Sequence, residues 1–287
     1  MRNLVRSQTA KRLNKLQSEI EGLSRRRSAV GSRDADKVHD LRVSIRRLSQ
    51  GLRVFLPWLD RARVSRMRRR LKKLMKRCAA VRNCDVAVDV LRACGWKEPE
   101  LFADLAQERR RARRELAARL RNWNRRGRVK KWRRKLRVQS PAPTAKASEG
   151  ASQSKLENAR RILPKMLEDL FRAGNRAARP GASHETMHQF RLKTKRVRYT
   201  LELFEPVYGA RLKPLIEWLK GLQEKLGAIN DCAVTLEMIR GERGAAAAVR
   251  RLARARVEEF RIYWKRSFGP RERARWKAVL AAADGKK

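Results

Sequence analysis

A short stretch of the sequence carries one histidine and several arginines at helical spacing. His39, Arg42, Arg46 and Arg53 recur at intervals of three, four and seven residues. At about 100° per residue, this spacing places the four side chains within about 60° of one another on one helix face. Guanidinium groups bind phosphate oxygens bidentately and keep their charge, and histidine adds a donor that responds to pH. The row therefore predicts a surface that suits a chain of phosphate groups.

The same row occurs again in the second half of the sequence. His188, Arg191, Lys195 and Arg198 repeat the histidine and the basic positions in the same register. A basic outer face is the plain interpretation for any single helix of a strongly basic protein. Its recurrence at equivalent positions favours a ligand-binding surface over that interpretation.

A second basic row is predicted on the following helix of the first half. It consists of Arg66, Arg70, Lys73 and Arg77, together with Arg63. The corresponding helix of the second half keeps fewer cations, namely Arg211, Lys220 and Lys225. We therefore expect the N-terminal half to carry more of the binding charge. The basic run Arg125–Arg137 is either a solvated face or an additional contact with a polyanion.

The two repeated histidines invite a comparison with metal and catalytic sites. No cysteine stands at metal-ligand spacing, and no nucleophile, glycine-rich phosphate loop or paired carboxylate accompanies them. We therefore predict no metal, no cofactor and no catalytic residue. The histidines are expected to donate hydrogen bonds to phosphate, with a purely structural role as the alternative. The Asn230-Asp231 pair and Arg82-Asn-Cys-Asp85 are interpreted as helix caps.

An internal repeat organises the elements that carry these rows. His39 and His188, Arg42 and Arg191, and Phe55 and Phe204 coincide at one constant separation. Residues 139–152 are rich in proline, serine and alanine, which is typical of a linker. The sequence thus predicts an N-terminal bundle over residues 1–138, a linker over 139–152 and a C-terminal bundle over 153–287, which together form one domain.

Leucine, alanine, arginine and glutamate dominate both halves, so we predict an all-α fold with four long helices in each half. Pro57 and Pro206 are predicted to end the second helix of each half. Breaks in the third helices are predicted near Ala79–Asn83 and Gly227–Asn230.

Composition sets the class of partner. The chain has 75 Lys and Arg against 29 Asp and Glu, a formal net charge of +46 over 287 residues. Such self-repulsion points to nucleic acid, an anionic membrane surface or a phosphate polymer as the partner. The four cysteines form no C-x-x-C pair and are expected to be reduced. Without a membrane-spanning or signal segment, the protein is expected to be soluble and cytoplasmic.

The pattern His39-x-x-Arg-x-x-x-Arg-Arg, its copy His188-x-x-Arg-x-x-x-Lys-Arg, and the Arg82-Asn and Asn230-Asp pairs resemble the CHAD family, the conserved histidine α-helical domain. The resemblance extends over nearly the whole chain. It implies two four-helix bundles related by a pseudo-twofold axis, and a basic central pore that binds inorganic polyphosphate. The pore would be lined by the following residues: His39, Arg42, Arg46, His188, Arg191 and Lys195. It also implies an association with polyphosphate granules.

The leading hypothesis is therefore non-catalytic binding of inorganic polyphosphate through a basic channel. Two alternatives stay open. One is a basic protein that binds nucleic acid without sequence specificity, for which no recognisable motif is present. The other is an accessory to a polyphosphate or triphosphate phosphohydrolase. The sequence does not fix the oligomeric state or the preferred phosphate chain length.

Overall fold

The computed structural model describes residues 2–25, 32–136 and 149–281, and within these ranges it contains helices and no strand. The all-α class predicted from the sequence is confirmed. The N-terminal helices are α1 (Arg2–Ser24), α2 (Ser32–Val54), α3 (Arg61–Ala93), α4 (Pro99–Arg125) and α5 (Arg128–Lys135), with a 3₁₀ helix over Leu56–Trp58. The C-terminal helices are α6 (Glu149–Ala177), α7 (His184–Tyr208), α8 (Lys213–Met238), α9 (Arg243–Ser267) and α10 (Pro270–Ala281), with a 3₁₀ helix over Gly209–Leu212.

The described residues form two compact units. One consists of residues 2–136 together with 234–248, and the other of residues 149–233 together with 249–281. The predicted connector, 139–152, lies outside the described residues as far as residue 148. Its last four residues belong to α6, which begins at Glu149.

The N-terminal unit is built on a four-helix bundle, because α1 packs against α2 and α4, and α3 packs against α2 and α4. Its core is aliphatic. Leu16 and Ile20 of α1, Leu41 and Ile45 of α2 and Leu71 of α3 are at most 2% exposed. Full burial of such a side chain contributes about 1.5–3 kcal/mol. The apolar stripe of α2 therefore fixes its rotation and turns the basic row away from the core.

The C-terminal unit has an aromatic core instead. The ring of Trp264 stacks on Phe268 at 4.2 Å between centroids and meets Phe190 edge to face at 5.2 Å. Gly174 of α6 makes room for Trp264, since a Cβ atom at this position would lie 2.0 Å from the indole ring. This close approach requires glycine and ties α6 to α9.

Two predicted helix breaks are wrong. α3 runs without interruption through Ala79–Asn83, and α8 runs without interruption through Gly227–Asn230. A single glycine costs only about 1 kcal/mol in a helix. Buried side chains on both sides of it, such as Leu226 and Ile229, outweigh that cost.

The predicted end of α7 at Pro206 is also wrong, because α7 continues to Tyr208. Proline removes only one hydrogen bond this close to a helix end. The buried Tyr208 hydroxyl donates a hydrogen bond to the carbonyl of Leu280 at 3.1 Å, which holds the last turn in place. Pro57 lies in the 3₁₀ helix after α2, which ends at Val54.

Candidate functional site

The predicted row on α2 lies beside a basic residue of α3. His39 is exposed, while Arg42 and Arg46 are half-buried. Loss of hydration lowers the pKa of His39 below the ordinary histidine value of 6.5, and the positive charges of Arg82, Arg42 and Arg46 lower this pKa further. Asp40 opposes this effect. His39, Arg42, Arg46 and Arg82 are called the N-terminal basic face below.

A buried thiol of α3 lies within the electrostatic influence of the α2 arginines. Burial raises the pKa of the Cys78 thiol to about 12, and the charges of Arg42, Arg113 and Arg46 act in the opposite direction. Arg42 and Arg46 are therefore close enough to α3 to act on this thiol. Arg53, the fourth residue of the row, is exposed in the last turn of α2.

The second row lies on α7, where an amide holds the histidine. The Nδ1 atom of His188 lies 3.0 Å from the Oδ1 atom of Asn230 in α8. An amide oxygen only accepts hydrogen bonds, so Nδ1 carries the proton and donates it, and Nε2 is left for another partner. Arg191 and Lys195 follow on the same face of α7 and are half-buried. His188, Arg191 and Lys195 are called the C-terminal basic face below.

Two of the predicted binding residues form ion pairs with carboxylates. Arg198 donates to Glu202 at 3.1 Å, and both side chains are only 11% exposed. Arg77 of α3 pairs with Glu115 of α4. The structure thus places these two cations in intramolecular contacts of their own.

The basic row of α3 and the N-terminal basic face lie in different places. Arg66 and Arg70 line a cleft with residues of α5, and Lys73 is exposed farther along the same row. Arg66 and Arg82 are sixteen residues apart in one helix, which places them about 160° apart around its axis. Arg66 and Arg70 therefore lie on a different side of α3 from Arg82.

Comparisons with known proteins agree with this arrangement of helices. The model of the CHAD domain family matches residues 7–240. This chain belongs to the CHAD family. The crystal structure of the CHAD domain from the plant Ricinus communis is similar, with a TM-score of 0.64 and 21% identity over 98% of this chain and 91% of that one. PptA from Streptomyces chartreusis is similar with a TM-score of 0.59 and 19% identity, over 93% and 98% of the two chains. No curated protein matches the chain.

The histidine neighbours of this CHAD domain occupy equivalent repeat positions. Arg82 and Asn230 align with each other, because Ala80-Val-Arg-Asn-Cys84 lies over Ala228-Ile-Asn-Asp-Cys232. Sequence analysis assigned these positions to helix caps, which the uninterrupted helices exclude. The signal that identifies them is the repeat itself, since each lies beside the repeated histidine of its own half.

A buried ion-pair network anchors the start of α2. The carboxylate of Asp34 accepts hydrogen bonds from Arg113 Nε at 3.0 Å and from Arg109 Nη2 at 3.2 Å, and its side chain is 0% exposed. Arg109 also donates to Asp85 of α3. The network joins α2, α3 and α4 close to His39, so it holds the N-terminal basic face in position. Sequence analysis gave no indication of it.

Two further findings concern the described residues alone. Within them, no three or more His, Cys, Asp or Glu side chains are grouped so that they could hold a metal ion. None of the helices found there combines the length and the apolar character needed to cross a membrane.

Proposed function

We propose that this CHAD protein binds inorganic polyphosphate without transforming it, and that the N-terminal and C-terminal basic faces provide the contacts. The observation that carries the proposal is the recurrence of a histidine with two basic residues in the same register. His39 with Arg42 and Arg46, and His188 with Arg191 and Lys195, come from sequence positions that are far apart. A repeating anion suits a repeated set of donors better than a single compact ligand does.

The side chains of both faces suit phosphate oxygens. Arginine offers a planar fork that binds two oxygens of one phosphate, and lysine supplies a point charge. A linear polyphosphate carries about one negative charge on every unit, so each contact releases counterions and binding weakens steeply with salt. Half-burial of Arg42 and Arg191 supports the proposal, because partly desolvated charges are screened less by salt.

The test replaces one arginine on each face by glutamate. The Arg42→Glu/Arg191→Glu variant and the wild-type protein are titrated with long-chain polyphosphate and with duplex DNA at about 0.15 M salt. We expect the wild type to bind polyphosphate more tightly than DNA. The variant should lose at least about tenfold in polyphosphate affinity, because two charge-assisted contacts become repulsive.

The matched control is Lys76→Glu/Arg176→Glu, which changes the net charge equally at two exposed positions that belong to neither face. Circular dichroism checks that all variants keep their helices. DNA binding as tight as polyphosphate binding would replace the proposal with the nucleic-acid alternative. Equal losses in the variant and its control would show that net charge alone, and not the two faces, determines binding.

The non-catalytic part of the proposal has its own measurement. Purified protein is incubated with polyphosphate and Mg²⁺, and released phosphate is quantified over time. We expect no release above the protein-free control. Release that is sustained over many turnovers would establish a phosphohydrolase instead. A cytoplasmic location with association to polyphosphate granules belongs to the same proposal, and fluorescence microscopy of the tagged protein tests it.

A further inference from the structure

A cleft of about 380 Å³ lies between the first turns of α3 and the α4–α5 junction. On the α3 side, Arg63, Arg66 and Arg70 form its wall. Met67 and Trp132 also line it, and both are at most 4% exposed, so they form its floor. The cleft lies within the N-terminal unit and is called the α3–α5 cleft below.

The opposite wall of the α3–α5 cleft is equally basic. Arg126 follows the end of α4, and Arg128, Lys131 and Lys135 come from α5. Gly127 connects the two helices with a φ of +52°, a backbone conformation that favours glycine. This turn separates α5 from α4. Seven of the nine lining residues are therefore cationic, and none is acidic.

The two walls are held at a defined separation. Arg63 Nη1 donates a hydrogen bond to the backbone carbonyl of Lys135 at 2.7 Å, which joins α3 to the end of α5. Beneath the cleft, Trp123 and Trp132 meet edge to face with 5.3 Å between their ring centroids. The cations are thus arranged on a packed base.

One guanidinium group of the cleft is partly buried among like charges. The Nε atom of Arg128 is shielded from solvent and has no hydrogen-bond partner within the part of the chain that the structure describes. Its guanidinium lies over the ring of Trp123, 5.8 Å from the centroid. Loss of hydration and the charges of Arg70, Arg126 and Arg119 lower the pKa of Arg128. A bound anion would relieve all of these costs together.

Elsewhere in the same unit, the chain supplies carboxylates to its partly buried arginines. Arg113 and Arg109, for example, share the carboxylate of Asp34. The lining of the α3–α5 cleft includes no such carboxylate. Arg63 pairs with Asp60 at 3.4 Å, but within the described residues the other six cations of the cleft form no ion pair, so most of the balancing negative charge must come from outside the protein.

We propose that the α3–α5 cleft is a separate binding site for a compact anion made of two or more linked phosphate groups. Its volume falls within the range of about 300–1,000 Å³ that is usual for small-ligand sites. The floor suits phosphates better than nucleotides, because the buried face of Trp132 cannot stack on a base. The site does not depend on the two basic faces.

The ligand has two possible sources, a free oligophosphate or a segment of a long polyphosphate chain. Tripolyphosphate, orthophosphate and long-chain polyphosphate are each titrated calorimetrically into the full-length protein. The test variant is Arg70→Gln/Arg128→Gln. Its matched control is Arg69→Gln/Lys130→Gln, which removes the same charge from exposed positions on the same two helices.

We expect the test variant to bind tripolyphosphate at least about tenfold more weakly than the control does, because two charge-assisted contacts are lost. Orthophosphate should bind more weakly than tripolyphosphate to the wild type. A parallel loss of affinity for long-chain polyphosphate identifies the polymer as a source, and an unchanged polymer affinity identifies free oligophosphate.

A second variant guards against misfolding. Arg66→Gln/Lys131→Gln removes one exposed cation from each wall and should also weaken tripolyphosphate binding. Equal affinities of both cleft variants and the control would overturn the proposal, as would absence of tripolyphosphate binding to the wild type. Loss of tripolyphosphate binding in Arg42→Glu/Arg191→Glu would also overturn it, because the short chain would then bind at the basic faces. The polyphosphate and DNA titrations of that variant test the proposed function separately.

Discussion

The carboxylate of Asp34 is the group whose replacement should most disturb the N-terminal unit. It is fully buried and accepts hydrogen bonds from Arg113 and Arg109. In Asp34→Asn the shape of the side chain is kept and the charge is lost, so two guanidinium groups face each other with only Asp85 to balance them. The expected effect is a loss of stability that is concentrated where α2 meets α4.

Two estimates of the magnitude agree. Hydrogen bonds to charged groups contribute about 1.5–3 kcal/mol each, and Asp34 accepts from two arginines. Removal of one partner from a buried ion pair costs about 3–5 kcal/mol. We therefore expect a loss of about 3–5 kcal/mol, which corresponds to a decrease of about 6–20 °C in the Tm of a unit of this size.

Hydrogen exchange measured by mass spectrometry localises the effect, and thermal unfolding gives its size. Amides of α2 and α4 should lose protection in Asp34→Asn, while α7 should not. The matched control is Asp36→Asn on the exposed side of the same helix. A destabilisation below about 1 kcal/mol, or one equal to that of the control, would refute the assignment of the network as an anchor. Because His39 lies little more than one turn farther along α2, polyphosphate affinity should also fall.

The remaining predictions concern the aromatic core and the histidine of the N-terminal basic face. Gly174→Ala should lower the Tm, because the new Cβ atom would lie 2.0 Å from the ring of Trp264. Gly227→Ala should raise the free energy of unfolding by about 0.5–1 kcal/mol, because this helical position has open space around it. Equal shifts in the two variants would contradict the packing described. The pKa of His39 is lowered in the free protein, and phosphate groups bound beside it should raise this pKa. Binding then takes up a proton, so polyphosphate affinity should increase as the pH falls below about 7. His39→Gln should flatten this pH profile, and an unchanged profile in that variant would show that His39 does not contact the ligand. Arg82→Asn should raise the pKa of His39, which NMR titration measures.

Sequence analysis succeeded where a signal recurred. The helices followed from composition, and the pairing of His39 with His188 followed from the repeat. The repeat also contained the positions of Arg82 and Asn230, but a local interpretation as helix caps concealed their place beside the histidines. The continuity of α8 through Gly227 depends on burial of the residues around it, which the local sequence does not reveal.

The features that sequence analysis missed depend on long-range contacts. Asp34 is one acid in a helix start, and nothing marks Arg109 and Arg113 as its partners among 75 lysines and arginines. The α3–α5 cleft likewise forms only because tertiary packing brings Arg66 of α3 and Arg128 of α5 to the same site. Spacing within one helix predicts which side chains share a face. It does not predict which neighbouring helix that face meets.

The two basic faces share their histidine but differ in the residue beside it, and this difference separates their roles. On the C-terminal face, the contact with Asn230 orients the ring of His188, so Nε2 is the ring atom that would meet phosphate under the proposed function. On the N-terminal face, Arg82 adds a permanent positive charge and makes His39 harder to protonate. The N-terminal face therefore holds three arginines, Arg42, Arg46 and Arg82, whereas the C-terminal face holds one arginine and one lysine. Under the proposed function, the N-terminal face would contribute mainly charge, and the C-terminal face would contribute a hydrogen-bonding group of defined orientation.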